Sequence, residues 1–233
     1  MKKTIQELVP LIQEWAKERG IFDKSTPFNQ LLKTHEEVGE LIKACYDNDK
    51  PAIQDAIGDT MICLINYCYF RKENFNTIFL NALSLKNNTN DDCVILSFSA
   101  NKLLIELLHS EYKMSKYNYT GNCYTQILYI VKCLNFITHL ENTTLEECLN
   151  IAYNEIKNRK GKMINGKFMK DKTIEKIKES VQKEIAEKQK EGKTLMEILE
   201  ESRSLTITNP YLYYNSLANS QNTLKTKKKY KKK

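Results

Sequence analysis

Apolar residues over the first 160 positions recur mostly at intervals of three and four, the spacing of helices that each bury one stripe. Ile5, Leu8, Val9, Ile12 and Trp15 form the first stripe and predict a helix over 4–19, stopped by Gly20. Pro10 lies inside it and marks either a kink or the true start. Thr26-Pro27 reads as a cap followed by proline at the first helical position, so a second helix is expected from about Pro27 to Tyr46. Asp47-Asn48-Asp49 is a turn, and Pro51 opens a third helix that continues to about Tyr69 or beyond. Asn87-Asn88-Thr89-Asn90 interrupts the chain. Helical patterns resume at about 92–116 and 123–139, separated by Gly121 and its Asn and Tyr neighbours. Thr144 and Glu147 make a capping-box pattern for a further helix that carries Leu149, Ile151, Ala152 and Ile156 and ends near Arg159-Lys160-Gly161.

The periodicity then changes. In Lys162-Met163-Ile164-Asn165-Gly166-Lys167-Phe168, Asn-Gly between short apolar pairs predicts one small β-hairpin. A charged helix with a thin stripe of Ile174, Ile177, Val181 and Ile185 is expected over 172–203, a solvated arm or an oligomerisation helix. Residues 204–233 read as a poorly ordered, lysine-rich tail. No internal repeat is visible. The fold class is all-α: a helical bundle with one short hairpin and an extended C-terminal helix. The expected division is 1–170 for the main helical domain, with 70–145 as a helical insertion, 171–203 for the charged helix, and 204–233 for the tail.

Composition supports helices. Only seven Gly and four Pro occur in 233 residues, too few turn-formers for an all-β fold. The formal net charge of +7 belongs to the tail: apart from the seven lysines between Lys225 and Lys233, 29 basic residues balance 29 acidic ones. A uniformly basic nucleic-acid surface is therefore not expected. The tail itself either solubilises the chain or attracts nucleic acid weakly. Seven cysteines without a C-x-x-C read as buried free thiols in a reducing compartment. Neither a signal peptide nor an apolar run near the roughly 18 residues of a membrane span is read from the sequence, so a cytoplasmic location without membrane contact is expected.

The chemistry concentrates in His35-Glu36-Glu37-Val38-Gly39-Glu40 and in Asp55-Ala56-Ile57-Gly58-Asp59. On helices, Glu37 neighbours Glu40 and Asp55 neighbours Asp59, each pair repelling by about 0.2–0.5 kcal/mol when exposed and more when buried. The short turn between the helices makes them pack antiparallel, so three or four carboxylates can converge. Such a cluster is unfavourable without a cation, and hard oxygen donors suit Mg²⁺ or Mn²⁺. The plain alternative is a solvated acidic helix face. Asp59 argues against it, because a carboxylate in an otherwise apolar helix would be largely buried and rarely unpaired. Gly58 weakens a helix interior by roughly 1 kcal/mol and suggests a close approach nearby.

Trp15 to Leu41 (WAKERGIFDKSTPFNQLLKTHEEVGEL), Asp55 to Leu64 (DAIGDTMICL) and Ala152 to Phe168 (AYNEIKNRKGKMINGKF) together resemble the MazG-like nucleotide pyrophosphohydrolases, in particular their phage-encoded branch. These stretches cover about a quarter of the chain and follow the family's order. The resemblance implies a four-helix catalytic core, commonly oligomeric (a homodimer or tetramer), and Mg²⁺-dependent hydrolysis of (d)NTPs between the α- and β-phosphates. Its metal ligands fall on Glu37, Glu40 and Asp59. Glu36 matches the first acid of the motif, where it can hold a second metal or orient the attacking water. The family usually has Glu three residues before the final Asp. Here Ala56 stands there, and Asp55, one position away, can take the place if the helix is rotated slightly. The phage branch is associated with purine deoxynucleotides, dATP and dGTP, and a phage-encoded chain would work in the host cytoplasm.

Arg159, Lys160 and Lys162 flank Gly161, where they either neutralise triphosphate charge or form a solvated helix end. The resemblance favours phosphate. Asn154, in the same motif, can bond base or sugar or simply lie on the surface. Lys33, one turn before Glu37, pairs with that acid or reaches phosphate. Trp15 either stacks on a base or belongs to the core. Two other classes remain: a catalytically inactive nucleotide-binding or regulatory protein, which the Ala56 departure favours, and a protein tethered to nucleic acid by its tail.

Overall fold

The computed structural model describes residues 2–86, 90–117, 121–164 and 166–198. Asn87, Asn88 and Thr89 of the expected chain break, Asn165 of the hairpin turn, the last residues of the expected 172–203 helix and the 204–233 tail lie outside the described residues. The elements are α1 (Ile5–Glu18), α2 (Ile21–Lys24), α3 (Pro27–Asp47), α4 (Lys50–Arg71), α5 (Phe75–Ser84), α6 (Cys93–Tyr117), α7 (Tyr124–Leu140), α8 (Leu145–Ile156), β1 (Gly161–Ile164), β2 (Lys167–Lys170) and α9 (Asp171–Lys190). Among the described residues the chain is thus mostly helical with one two-stranded hairpin, as the sequence pattern predicts. It divides into two compact units, Met1–Met169 and Lys170–Lys233.

Local chemistry sets most helix starts. Thr4 and Glu7 cap α1 reciprocally, so the helix starts ahead of Pro10 and runs through it. Thr26 accepts from the Asn29 amide at the start of α3, and Asp49 accepts from the Ala52 amide at the start of α4. Asn48, with φ of 54°, makes the left-handed corner between these two antiparallel helices. Two elements go beyond the sequence reading. Gly20 leads into the single turn of α2. Lys72 closes α4 in the left-handed region, and Asn74 then caps α5. The charged C-terminal helix is shorter than expected. It stops at Lys190, where the Gly192 and Lys193 amides close on the Gln189 and Lys188 carbonyls, and Thr194 pairs with Glu197 to cap a new turn. Glu-Gly-Lys-Thr at 191–194 carries that stop and restart in its side-chain chemistry.

In the first unit α4 is the central helix. Ile53, Ile57, Met61, Leu64, Ile65 and Tyr67 are all buried, on several faces of the helix. It packs against α3, α8, α1 and α7, while α6 covers α3 and α7. A helix apolar all round needs such cover. Gly58 is where α8 comes closest: a Cβ there would lie 2.5 Å from the Cys148 carbonyl oxygen and 2.7 Å from the Ala152 Cβ. This is the close approach that a glycine in that helix suggests. Gln54 donates to Thr143 at 3.0 Å, so residue numbers rise together and α4 and α8 run parallel. A buried ionic link joins α4 to α6: Tyr67 donates to Glu111 at 2.9 Å and Arg71 Nε at 2.8 Å.

All seven cysteines are free thiols. The expectation that no segment is apolar enough for a membrane span does not hold for α6. By length and composition that helix qualifies, because it carries apolar residues on both its inner and its outer face.

Candidate functional site

The α3–α4 hairpin brings acids from both helices to one place. Glu37 is buried on α3, among Thr34, Val38 and Leu41 on its inward stripe. Asp59 is half-buried on α4, with Asp55 one turn before it. Burial first, then the negative charges of Glu37 and Asp55, push the Asp59 carboxyl up to about 7 from its usual 3.8; Arg159 acts in the opposite direction. Cys63, one turn further along α4, reports the same convergence. Its buried thiol is pushed far up by desolvation and then by Glu37 and Asp59 together. Acids of two helices therefore act on one partly buried region of low dielectric.

Cations border this region. Lys33 Nζ lies 2.7 Å from Glu37 and 2.9 Å from Glu36. Burial works against its charge, but the hydrogen bonds it donates to Glu37 and Glu36 hold the ammonium above its ordinary range. Of the two readings of Lys33, carboxylate pairing is the geometry observed. Arg159 arrives from beyond the end of α8. It is paired with Glu155 one turn earlier, and its backbone carbonyl accepts from Arg19 Nε at 3.1 Å. The Gly58 contact seats α8 on α4 and so brings both Arg159 and Glu155 to act on Asp59. Glu155 and Cys63 are site neighbours that the sequence reading missed. Their helical spacing from Arg159 and Asp59 was the available signal.

The other expected residues are placed differently. Glu40 is exposed on α3. Lys160 and Lys162 are exposed on the segment entering the hairpin. Asn154 accepts from Lys157 at 2.7 Å and lines a polar surface hollow with Lys2, Gln54 and Asn150. Trp15 is core: it is 8% exposed and meets Phe168 edge-on at 5.9 Å, so its ring is not offered to a base. That contact ties the hairpin to α1, while Gly166, at φ of 76°, sits against Asn29 at the start of α3. Ala56 is buried in the core beneath the acids, and Asp55 is the partly exposed carboxylate beside it.

Among the described residues, no three His, Cys, Asp or Glu side chains stand close enough to hold a metal ion as they are placed. The donor set nevertheless fits a hard divalent ion in kind: all-oxygen, anionic, and mutually repelling at Asp59 where a cation would relieve the repulsion. Binding would require Glu40 to turn inward and Glu37 to exchange its bond to Lys33.

Comparison with known proteins adds a phage relative. Over 61 residues the chain is 36% identical to an uncharacterized 18.2 kDa protein in the rep-hol intergenic region of Haemophilus phage HP1 (strain HP1c1), an alignment covering 26% of this chain. The chain spans only 37% of that relative's length. No protein-family profile matches the chain. No solved structure matches it either.

Proposed function

We propose that this protein is a Mg²⁺-dependent pyrophosphohydrolase of nucleoside triphosphates that releases a (d)NMP and pyrophosphate, with Mn²⁺ as a substitute metal and purine dNTPs (dATP, dGTP) as the first substrates to try. The carrying observation is the gathering of acids at half-buried Asp59, whose carboxyl is pushed up to about 7 by burial first and then by Glu37 and Asp55, against the opposing Arg159. Glu37, Asp59, Asp55 and Glu40 would hold the metal. Bound Mg²⁺ would supply Lewis-acid polarisation of a phosphoryl oxygen and a more acidic water. Glu36, beside the metal acids, orients water. Arg159 gives phosphate oxygens a cation whose guanidinium is positioned by Glu155, and Lys33 becomes available to phosphate once Glu37 turns to the metal. Lys160 and Lys162 add charge at the rim. The resemblance in the α3, α4 and 152–168 segments supports the reading, and the relative encoded by a phage supports a phage association alone. A (d)NTP substrate places the work in the host cytoplasm.

The test is product analysis with each dNTP and NTP. Pyrophosphate should appear in a Mg²⁺-dependent way, and Glu37→Gln should lower kcat/KM by about a hundredfold or more while helicity is retained. Orthophosphate as the sole product, or full activity in Glu37→Gln, would reject the assignment. A second reading, a nucleotide-binding protein without turnover, is favoured by the Lys33–Glu37 pair and by buried Ala56. It predicts nucleotide affinity with no product formed.

A further inference from the structure

Along α4, Asp59, Cys63, Asn66 and Phe70 follow one another at intervals of four, three and four, so they share one stripe of the helix. Along α3, Glu37, Lys33 and Gln30 form the matching stripe in the reverse direction. The two helices are antiparallel. Seven residues beyond the level of Glu37 and Asp59, about 10 Å along the axis, Gln30 and Asn66 therefore come level with one another. Both are buried carboxamides, Gln30 at 9% and Asn66 at 2% exposed. Gln30 gives its amide N–H to Ser25 Oγ at 3.1 Å. Asn66 Oδ1 is shut from solvent and has no hydrogen-bond partner. A buried acceptor in that state costs stability unless a donor reaches it. Aromatic rings close this end of the stripe. Phe22 of α2 stacks on Tyr69 at 3.8 Å between centroids and meets Phe70 edge-on at 5.5 Å.

We propose that Asn66 selects the base of the nucleotide: Oδ1 accepts from an exocyclic amino group, and the amide nitrogen donates to the ring nitrogen beside it. Adenine and cytosine present this pairing edge. Guanine, thymine and uracil carry a carbonyl oxygen where that amino group stands, which sets acceptor against acceptor. The inference rests on the pyrophosphohydrolase reading for its phosphate end. Acids and Lys33 stand at one level, the amide lies about 10 Å further, and rings on which a flat base can stack follow. That is the order of a nucleotide from phosphate to base. The inference also narrows the purine expectation, because it excludes dGTP.

Binding is measured by isothermal titration calorimetry on the full-length chain with Mg²⁺ and the α,β-methylene analogues of dATP, dCTP, dGTP and dTTP. These cannot be cleaved between the α- and β-phosphates, so the readout does not depend on turnover. The dATP or the dCTP analogue should bind at least about tenfold tighter than those of dGTP and dTTP, and the tighter of the two assigns the base as purine or pyrimidine. Hydrogen in place of the amino group of that ligand should weaken binding by about tenfold or more. Asn66→Leu should leave the melting temperature unchanged or higher, since an unpartnered polar atom is removed, and should erase the preference. A preference kept in Asn66→Leu overturns the inference. So does a parent that favours dGTP or dTTP, treats all four alike, binds none, or loses nothing with the amino group. The amino-group comparison is made on the parent and decides the matter even where Asn66→Leu fails to fold. Base-selective binding without pyrophosphate release would reject the hydrolase and keep the base site. Pyrophosphate release at equal kcat/KM from all four dNTPs would do the reverse.

Discussion

Asp59 links stability to the proposed chemistry because its carboxyl is raised to about 7 by burial and by Glu37 and Asp55. The folded chain therefore holds this proton more tightly than the unfolded chain does. Stability is unpenalised below the ordinary carboxylate value of 3.8, falls as pH rises from there to 7, and stays lowered above. Asp59→Asn removes the penalty. We expect it to stabilise the protein at pH 8 by a few kcal/mol, at most about 4, and to flatten the pH dependence, measured by urea unfolding at pH 5 and pH 8. Mg²⁺ at pH 8 should raise the melting temperature of the parent and leave that of Asp59→Asn unchanged. A parent indifferent to Mg²⁺ would remove the metal from the proposal.

Helix packing decides whether Arg159 reaches the acids. Gly58 gains nothing from its conformation, since α4 is regular there; it is required by the backbone of α8 lying where a Cβ would go. Gly58→Ala would gain up to about 1 kcal/mol of helix propensity. The clash is with backbone and with Ala152, neither of which can rotate away, so we expect a net loss of about 1–3 kcal/mol in the urea midpoint. Displacement of α8 should also weaken the influence of Arg159 on Asp59 and raise KM more than it lowers kcat. An Ala variant as stable and as active as the parent would mean that α8 is not seated by this glycine. The buried Glu111 on α6, bound by Tyr67 and Arg71, ties the same central helix from another side. Removing one partner of such a group typically costs more than the pair itself contributes.

Charge is distributed unevenly over the molecule. The seven lysines of the last nine residues account for the whole net charge of +7. Deleting 225–233 makes the chain formally neutral. Because the proposed site lies wholly within the first unit, pyrophosphate release should keep the kcat/KM of the parent after this deletion. Any salt-dependent affinity for nucleic acid should disappear with it. A drop in turnover would assign the tail a part in the reaction.

The helices were legible in the sequence because their signals are local. Caps at Thr26 and Thr144, prolines at first positions, and apolar stripes act within a few residues, and the Asn-Gly signal between short apolar pairs is equally local. That Glu37 comes near enough to act on Asp59 was also legible, since a short turn forces two long helices antiparallel; the expected gathering of three or four carboxylates is not found among the described residues, where Glu40 is exposed. Other properties depend on what distant segments cover. The charge state of Asp59 is set by surrounding burial and by Arg159, a hundred residues away in the chain. Trp15 meets Phe168 of the distant hairpin edge-on, and α6 gives one apolar face to the core while the other stays exposed. Periodicity tells which residues share a face; tertiary structure alone decides which faces meet.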